Sequence, residues 1–333
     1  MKDNWGIVGH EWAVASLQRH IHDDRLHHAY LLAGPAGIGK RTLAMAFIKA
    51  ALCEKRAGCG ECRPCKLVEH QNHPDLLIVK PAVSGERIKT EKILVDRIRD
   101  ELIVPITRKP VESRHRVGFI PNFEAANENA ANAFLKTLEE PPDYALLALT
   151  TNDPESLLPT IRSRCEVFFL RPLPIAAIRD TLVQRRGATT ERGDLLARLS
   201  GGRVGWAMNA LSDDGHLLER REQRLEELAQ LLSSSRAVRF AYAEALARDR
   251  ESMRETLDLW LGWWRDVMLT ASGGGVPPIN NDHWAAVQAA AEKIGLDATA
   301  QTVESIQRTI SLLPRNINAR LALEVLLLDL PRI

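Results

Sequence analysis

The sequence predicts an α/β domain with a five-stranded parallel sheet, followed by a small helical region and a larger all-helical region. Three observations support this fold class. A short apolar run enters a glycine-rich turn at residues 31–42, and a helical pattern leaves it. Four more short apolar runs follow, which is typical of buried parallel strands. From about residue 213 onward, apolar residues recur at helical spacing.

The turn has the residues of a phosphate-binding loop. Gly34, Gly37, Gly39 and Lys40 match the pattern in which backbone N–H groups face phosphate oxygens and a lysine reaches the terminal phosphates. The next position normally carries Ser or Thr, whose hydroxyl binds Mg²⁺, but here it is Arg41. A glycine turn formed by chance is the alternative, and the order of strand, turn and helix argues against it. We therefore expect a loop that keeps its shape but has lost Mg–ATP chemistry, and the sequence leaves open whether it still holds an anion.

The third predicted strand lacks the acids of an active ATPase. The predicted strands span residues 30–33, 75–79, 116–121, 145–149 and 167–170, and the helices between them span 40–52, 88–102 and 125–140. In phosphate-loop ATPases an acid at the third strand orients Mg²⁺, and a second group orients the attacking water. This chain has Pro121-Asn122 there, and Glu124, two residues further on, is expected to lie on the following helix. We predict that the hydrolytic acids are missing.

Four of the five cysteines lie within thirteen residues. Cys53, Cys59, Cys62 and Cys65 contain two overlapping CxxC pairs, and four thiolates can close a tetrahedral Zn²⁺ site. The alternative is buried or redox-active thiols, but a redox CxxC normally stands alone at the start of a helix. The spacing therefore predicts a structural zinc site with no open position.

The composition argues against strong binding of the whole chain to nucleic acid and against membrane contact. Lys plus Arg (44) nearly equals Asp plus Glu (43), so no strong electrostatic affinity of the whole chain for nucleic acid is expected. No apolar run approaches the ~20 residues that span a bilayer, and no secretory signal pattern opens the sequence. We expect a cytoplasmic protein without membrane contact.

At 333 residues the chain is long enough for two or three domains, each with its own core. Arg171–Pro174 has the composition of a linker. The predicted domains are an α/β domain with the zinc insertion, a helical lid and a helical C-terminal domain, over residues 1–170, 171–211 and 212–333.

Several segments occur in the same order in the bacterial clamp-loader ATPases of the AAA+ class, and the chain resembles that family. The matching segments are Gly6–His10, His28–Leu31, Gly34–Lys40, the four-cysteine insertion, Leu135–Pro142 and Ser163–Cys165. The last two are specific signals, whereas the phosphate loop alone is generic. The resemblance covers about the first 210 residues closely and extends more loosely through residues 316–324.

The resemblance implies an AAA+ domain, a helical lid and a helical collar that joins subunits. It also implies a role in the clamp loader of bacterial DNA polymerase III, which places the ring-shaped sliding clamp on primed DNA with the help of motor and non-motor subunits. A motor subunit has a Thr after the loop lysine, Asp-Glu on the third strand and a sensing arginine where this chain has Gly205. All three differences indicate a non-hydrolysing subunit.

Residue by residue, the resemblance makes the four clustered cysteines the family's zinc ligands. It makes Arg164 the arginine finger, which acts on the nucleotide of a neighbouring subunit, and it places residues 150–152 in the first sensor region. From the residues alone, Arg162 and Arg164 would be read as solvated surface. The resemblance thus implies a subunit that binds the motor subunits and supplies Arg164 to them.

Two other functions are compatible with parts of the sequence. The first is an active clamp-loader ATPase whose unusual loop still works, although the loss of both the metal ligand and the acids argues against it. The second is a zinc-knuckle DNA-binding module, which the nearly neutral charge and the position of the cysteines inside an ATPase fold argue against.

Overall fold

The computed structural model describes residues 4–80, 83–84, 89–90, 92–213, 215–313 and 317–332. These residues divide into two compact units. The first contains the described residues up to Ile178 together with Gly202–Trp206, and the second contains Arg179–Gly201 and the described residues from Ala207 onward. Within these ranges no helix combines the length and the hydropathy needed to cross a membrane. The three domain boundaries expected from the sequence remain a prediction.

The first unit contains a five-stranded sheet in which every neighbouring pair is parallel. Its strands are β1 (Ala29–Ala33), β2 (Leu76–Ile78), β5 (Arg116–Ile120), β6 (Ala145–Thr151) and β7 (Glu166–Phe169), in the order β2-β5-β6-β1-β7; a separate antiparallel pair consists of β3 (Val83–Ser84) and β4 (Lys89–Thr90). The five predicted strands are confirmed to within two residues at each end. Because β1 lies next to β6 and β6 next to β5, the loops that follow these three strands meet at one edge of the sheet.

Helices cover both faces of this sheet. Those of the first unit are α1 (Glu11–His22), α2 (Lys40–Leu52), α3 (Arg63–Glu69), α4 (Val95–Ile98), α5 (Val104–Ile106), α6 (Glu128–Glu139) and α7 (Pro159–Arg162). Alternate residues of β1 belong to different cores: Tyr30 and Leu32 pack with Phe47 of α2, whereas Leu31 packs with Phe134 of α6. This alternation follows from the two-residue period of a strand and confirms the predicted α/β layering.

The helix predicted over residues 88–102 is wrong in its first half. Ile93 is extended, and its N–H donates to the carbonyl of Ala125 at 2.8 Å while its carbonyl accepts from the N–H of Asn127 at 3.1 Å. This pairing uses backbone groups that a helix would need, so α4 begins only at Val95. Residue 88 lies outside the described part of the chain.

Every secondary-structure element assigned among the described residues of the second unit is a helix. Two helices, α8 (Ile175–Arg186) and α10 (Val204–Ser212), have residues in both units; the others are α9 (Thr190–Leu199), α11 (His216–Ser233), α12 (Arg236–Leu246), α13 (Arg250–Ala271), α14 (Trp284–Ile294), α15 (Leu296–Leu312) and α16 (Ala319–Asp329). Trp260 and Trp264 of α13 are fully buried in its core. The all-helical C-terminal region predicted from the apolar spacing is confirmed.

Candidate functional site

The phosphate loop joins β1 to α2 and needs its glycines for two reasons. Gly34, Gly37 and Gly39 all have positive φ, at 150°, 76° and 107°, where L side chains are rarely found. A Cβ atom on Gly34 would also lie 2.6 Å from the carbonyl oxygen of Leu170. The positive φ angles and the close approach at Gly34 are compatible with the phosphate-binding turn that the sequence predicts.

The ammonium of Lys40, however, already donates hydrogen bonds within the protein. Its side chain is buried, and its ammonium donates to the carbonyl oxygens of Gly34 at 2.6 Å and Pro35 at 2.8 Å and to Oδ1 of Asn152 at 2.8 Å. Burial lowers the pKa of Lys40 to about 8, and the charge of Glu124 opposes this shift. An ammonium has three N–H donors, so all three are used within the chain. A phosphate could be bound by Lys40 only if these bonds were exchanged.

Glu124 joins this network, which the sequence did not predict. It lies in a 3-10 turn, Phe123–Ala125, and α6 begins only at Glu128, where the side chain of Asn127 caps it. Its Oε1 accepts from the backbone N–H of Asn152 at 3.0 Å and from Nδ2 of Asn152 at 2.6 Å. Asn152, in the expected sensor region, therefore links Lys40 to the carboxylate of Glu124.

Arg41 and Pro121-Asn122 stand at the positions where Mg²⁺ ligands were expected from the phosphate-loop pattern. Arg41 is exposed on the first turn of α2. Strand β5 ends at Ile120, and Pro121-Asn122 follows, with Asn122 in the left-handed region at φ 54°. The N–H of Asn122 donates to Oγ1 of Thr150 at 3.0 Å, so this strand tip is bound to the neighbouring strand.

A short segment of the same unit lies directly against the phosphate loop. The N–H of Gly205 donates to the carbonyl oxygen of Gly37 at 2.7 Å, and a Cβ on Gly205 would lie 2.8 Å from that oxygen. A Cβ on Gly37 would in turn meet the backbone of Trp206 at 3.2 Å. The first turn of α10 therefore covers the loop at the position where the resemblance to motor subunits places a sensing arginine.

The four clustered cysteines come together as predicted. The Sγ atom of Cys53 lies 3.6 Å from that of Cys59 and 3.8 Å from that of Cys62, and the Sγ atoms of Cys59 and Cys65 are 4.0 Å apart. All four sulfurs lie within 4.8 Å of one another. A tetrahedron with metal–sulfur bonds of ~2.3 Å has S···S edges of about 3.8 Å, so the cluster has the geometry to hold a metal ion.

The chain around these cysteines explains the geometry. Cys53 follows the C-terminal end of α2, and Cys62 caps the N-terminal end of α3. Between them, Gly58 and Gly60 have positive φ and provide the tight turns. Burial opposes ionisation of Cys53, but backbone N–H groups, first that of Cys59, lower its pKa to about 6. The turn thus favours a thiolate at one corner of the cluster.

Arg164 lies apart from the phosphate loop, after α7 and before β7. Its Nη1 donates to the carbonyl oxygen of Thr160 at 2.9 Å, and its Nη2 lies 2.8 Å from Oε1 of Glu139. Arg162 is paired too, with its Nη1 2.6 Å from Oε1 of Glu155. Both arginines are therefore held by carboxylates, a feature that the sequence reading of free solvated side chains missed.

Comparison with known proteins covers both parts of the chain. The family model described as DNA polymerase III, delta subunit, matches residues 9–174, and the model described as DNA polymerase III, delta subunit, C terminal, matches residues 215–331. The delta-prime subunit of DNA polymerase III from Bacillus subtilis is 28% identical over 94% of each chain. The delta-prime subunit of Escherichia coli is 34% identical over 69% of this chain and 65% of its own length.

Other relatives are matched over shorter stretches. The tau/gamma subunit of Haemophilus influenzae is 38% identical over half of this chain, which spans 23% of that protein. This chain spans 44% of the delta-prime subunit of Pseudomonas aeruginosa, at 43% identity. Among solved structures, a gamma-subunit-related protein of Thermotoga maritima has 19% identity and a TM-score of 0.41 over 94% of this chain and 97% of its own.

The two family models together match most of the chain, and the full-length likeness to the Bacillus subtilis subunit agrees with them. The chain belongs to the clamp-loader family of DNA polymerase III, among the subunits called delta-prime.

Proposed function

We propose that this chain is the non-hydrolysing subunit of a DNA polymerase III clamp loader. The observation that carries the proposal is the state of Lys40, whose three donors are bound by Gly34, Pro35 and Asn152. In an active phosphate-loop ATPase this lysine contacts the β- and γ-phosphates, and Mg²⁺ is held by a Ser or Thr and an acid. Arg41 and Pro121-Asn122 offer neither of these metal ligands.

The proposed partners follow from the relatives. They are the gamma/tau ATPase subunits and the delta subunit of the loader, with the sliding clamp and primed DNA reached through the whole complex in the cytoplasm. Residues 171–211 would form the lid, and residues 212–333 the collar through which subunits join. The proposal assigns no membrane contact to the chain.

In this complex Arg164 would serve the active site of a neighbouring ATPase subunit. An arginine supplied in trans stabilises the charge on the transferring phosphoryl group, and its guanidinium can meet two phosphate oxygens at once. The partial exposure of the Arg164 side chain, 35%, and its position on a surface turn support this role. Because this chain's own loop lacks the metal ligands, the catalytic role proposed for Arg164 lies at the neighbouring subunit.

The four cysteines are proposed to hold one structural zinc ion. Four thiolate ligands leave no position for water, so the metal would fix the turn between α2 and α3 and supply no catalysis. The S···S separations of 3.6–4.0 Å support this set of ligands.

The main alternative is an active ATPase of the gamma/tau type, since tau/gamma subunits are also among the relatives. ATP turnover by the purified chain separates the two functions. We expect none above background, and Arg41→Thr alone should not create it because the acids after β5 are still missing. Steady turnover that Lys40→Ala abolishes would make the chain an ATPase instead.

The role of Arg164 is tested in the reconstituted loader. Arg164→Ala should leave assembly intact and slow ATP turnover and clamp loading, because fingers of this kind contribute ~10³–10⁵ in rate at the site they serve. Other sites keep their own arginines, so the total rate should fall only in part. Arg162→Ala is the matched control, and it removes only a surface ion pair worth at most ~1 kcal/mol. Clamp loading at the unmodified rate with Arg164→Ala would refute the trans-acting role.

A further inference from the structure

The guanidinium of Arg164 is held at two points although it lies on the surface. Its backbone is held by a hydrogen bond, in which the N–H of Arg164 donates to the carbonyl of Ile161 at 3.1 Å. The side chain then turns back, and Nη1 donates to the carbonyl oxygen of Thr160 at 2.9 Å. Nη2 meets Oε1 of Glu139 at 2.8 Å. The second contact joins α6 to the turn after α7.

Glu139 lies at the C-terminal end of α6, where a negative charge is unfavourable. It is the last residue of α6, and Glu140 follows as the C-cap. The C-terminal end of a helix carries partial negative charge, so carboxylates there are destabilising and cations are favoured. The contact with Arg164 offsets that cost for Glu139. Glu140 has no ion pair or side-chain hydrogen bond among the described residues, so the two neighbouring carboxylates differ in this one respect.

The pairing leaves Arg164 able to bind a phosphate. A guanidinium has five N–H donors; Nη1 uses one of them on Thr160, and Nη2 forms an ion pair with Glu139. Nε and one N–H on each Nη atom are not bonded within the part of the chain that the structure describes. Arginine binds phosphate oxygens through two parallel N–H groups, so enough donors remain for a bidentate contact while Glu139 stays in place.

We propose that Glu139 is a positioning residue that orients Arg164 toward the nucleotide of the neighbouring subunit. This inference rests on the proposed trans role of Arg164. A long side chain that must reach one place loses rotamer freedom on binding, and holding it beforehand reduces that loss. Glu139 touches neither nucleotide nor metal, and it acts only through the guanidinium.

The test uses the fully assembled loader with this chain as wild type, Glu139→Gln, Glu140→Gln, Arg164→Ala and the Glu139→Gln/Arg164→Ala double variant. Steady-state ATP turnover gives kcat and KM for each assembly. Glu139→Gln keeps the shape and removes the charge, so it should lower the part of kcat that depends on Arg164 about two- to fivefold with KM unchanged. Glu140→Gln should match the wild type. In the double variant Glu139→Gln should have no further effect.

The possible results separate the two proposals. If Arg164→Ala leaves ATP turnover and clamp loading unchanged, the trans role is wrong and the positioning role falls with it. If Arg164→Ala slows the loader while Glu139→Gln equals the wild type, only the positioning role is wrong. If Glu139→Gln slows the loader equally with and without Arg164, Glu139 acts through the fold and the inference is overturned.

Discussion

The ammonium of Lys40 lies 2.8 Å from Oδ1 of Asn152, and Asn152 donates through Nδ2 to Glu124 at 2.6 Å. Three loops that would surround a nucleotide in an ATPase, those after β1, β5 and β6, are thus joined by side chains of this chain. The loop lysine Lys40, the sensor position Asn152 and the carboxylate of Glu124 bind one another. Internal contacts therefore occupy the position that the proposed function assigns to a degenerate nucleotide site.

Lys40→Met should therefore reduce stability. The substitution removes three hydrogen bonds from a charged donor and leaves the oxygens of Gly34, Pro35 and Asn152 without it. Leaving buried polar groups without a partner lowers the free energy of unfolding by about 1–3 kcal/mol. Because the variant no longer buries a charge, part of this loss is offset. We expect a loss of about 1–3 kcal/mol in urea unfolding at pH 7, where a lysine of pKa about 8 is still largely charged.

Arg41→Met is the matched control, because Arg41 is the next residue on α2 and is exposed. Its effect should stay within about 0.5 kcal/mol. The same samples should show no rise in the thermal midpoint with Mg–ATP. A variant at position 40 as stable as the control, or a clear shift with Mg–ATP in the wild type, would contradict the internal role of Lys40.

Metal analysis should give one zinc ion per chain. We expect X-ray absorption to report four sulfur ligands at ~2.3 Å. Cys62→Ser should weaken zinc retention and lower the thermal midpoint, since removing one thiolate opens the site that joins α2 to α3. Cys165→Ser is the control, because that thiol belongs to another core and burial raises its pKa to about 12. Native protein without zinc and with all four clustered thiols freely alkylated would rule out the site.

His73 should make stability depend on pH. Its Nδ1 accepts from the N–H of Asp75 at 3.1 Å, and its Nε2 lies 3.3 Å from Oγ of Ser113. Burial lowers the pKa of His73, Arg63 adds to this, and the carboxylates of Asp75 and Glu112 oppose it. The unfolded chain therefore takes up the proton first as the pH falls. The contribution of neutral His73 to the free energy of unfolding is complete above about pH 6.5. It is lost as the pH falls through the folded-state pKa.

The measurement compares urea unfolding at pH 7 and pH 5 for the wild type and His73→Asn. The asparagine Oδ1 can still accept from the N–H of Asp75, but it does not titrate. The wild type should lose more stability than the variant over this interval, by at most about 1.4 kcal/mol per pH unit. Equal losses would show that protonation of His73 is not coupled to unfolding.

The strands and the phosphate loop were predictable because each follows from a local pattern. Short apolar runs predicted all five strands, and the positive φ of Gly34 and Gly37 is what the loop pattern demands. The cysteine cluster was predictable for the same reason, since Cys59, Cys62 and Cys65 lie close in the chain and the turns between them are short.

The contacts within the site were not predictable, because they join distant parts of the chain. Lys40 and Asn152 are 112 residues apart, and Asn152 and Glu124 are 28 apart. Nothing near Glu124 distinguishes it from a surface carboxylate. The helical apolar spacing around Ile93 was misleading, because Ile93 pairs with the segment before α6, and no local rule reports a pairing across the fold.

Gly205 and Gly262 both lie in helices, but we expect their replacement by Ala to change the free energy of unfolding in opposite directions. A Cβ on Gly205 would lie 2.8 Å from the carbonyl oxygen of Gly37, closer than real Cβ contacts, and the clash is with backbone. Gly205→Ala must therefore push the first turn of α10 off the phosphate loop or strain it. We expect a loss of about 1–3 kcal/mol, in the range of overpacked interiors.

Gly262 in α13 is the matched control. A Cβ there meets nothing within 4 Å, so Gly262→Ala should raise stability by about 0.5–1 kcal/mol through helix propensity alone. If Gly205→Ala also stabilises the protein, the close approach to Gly37 is not a feature of the molecule in solution. If the signs differ as expected, Gly205 is needed for contact with the loop. Motor subunits of the family have a sensing arginine at this position, and its side chain would have no room while Gly205 contacts Gly37. The contact with Gly37 and a sensing arginine therefore exclude each other.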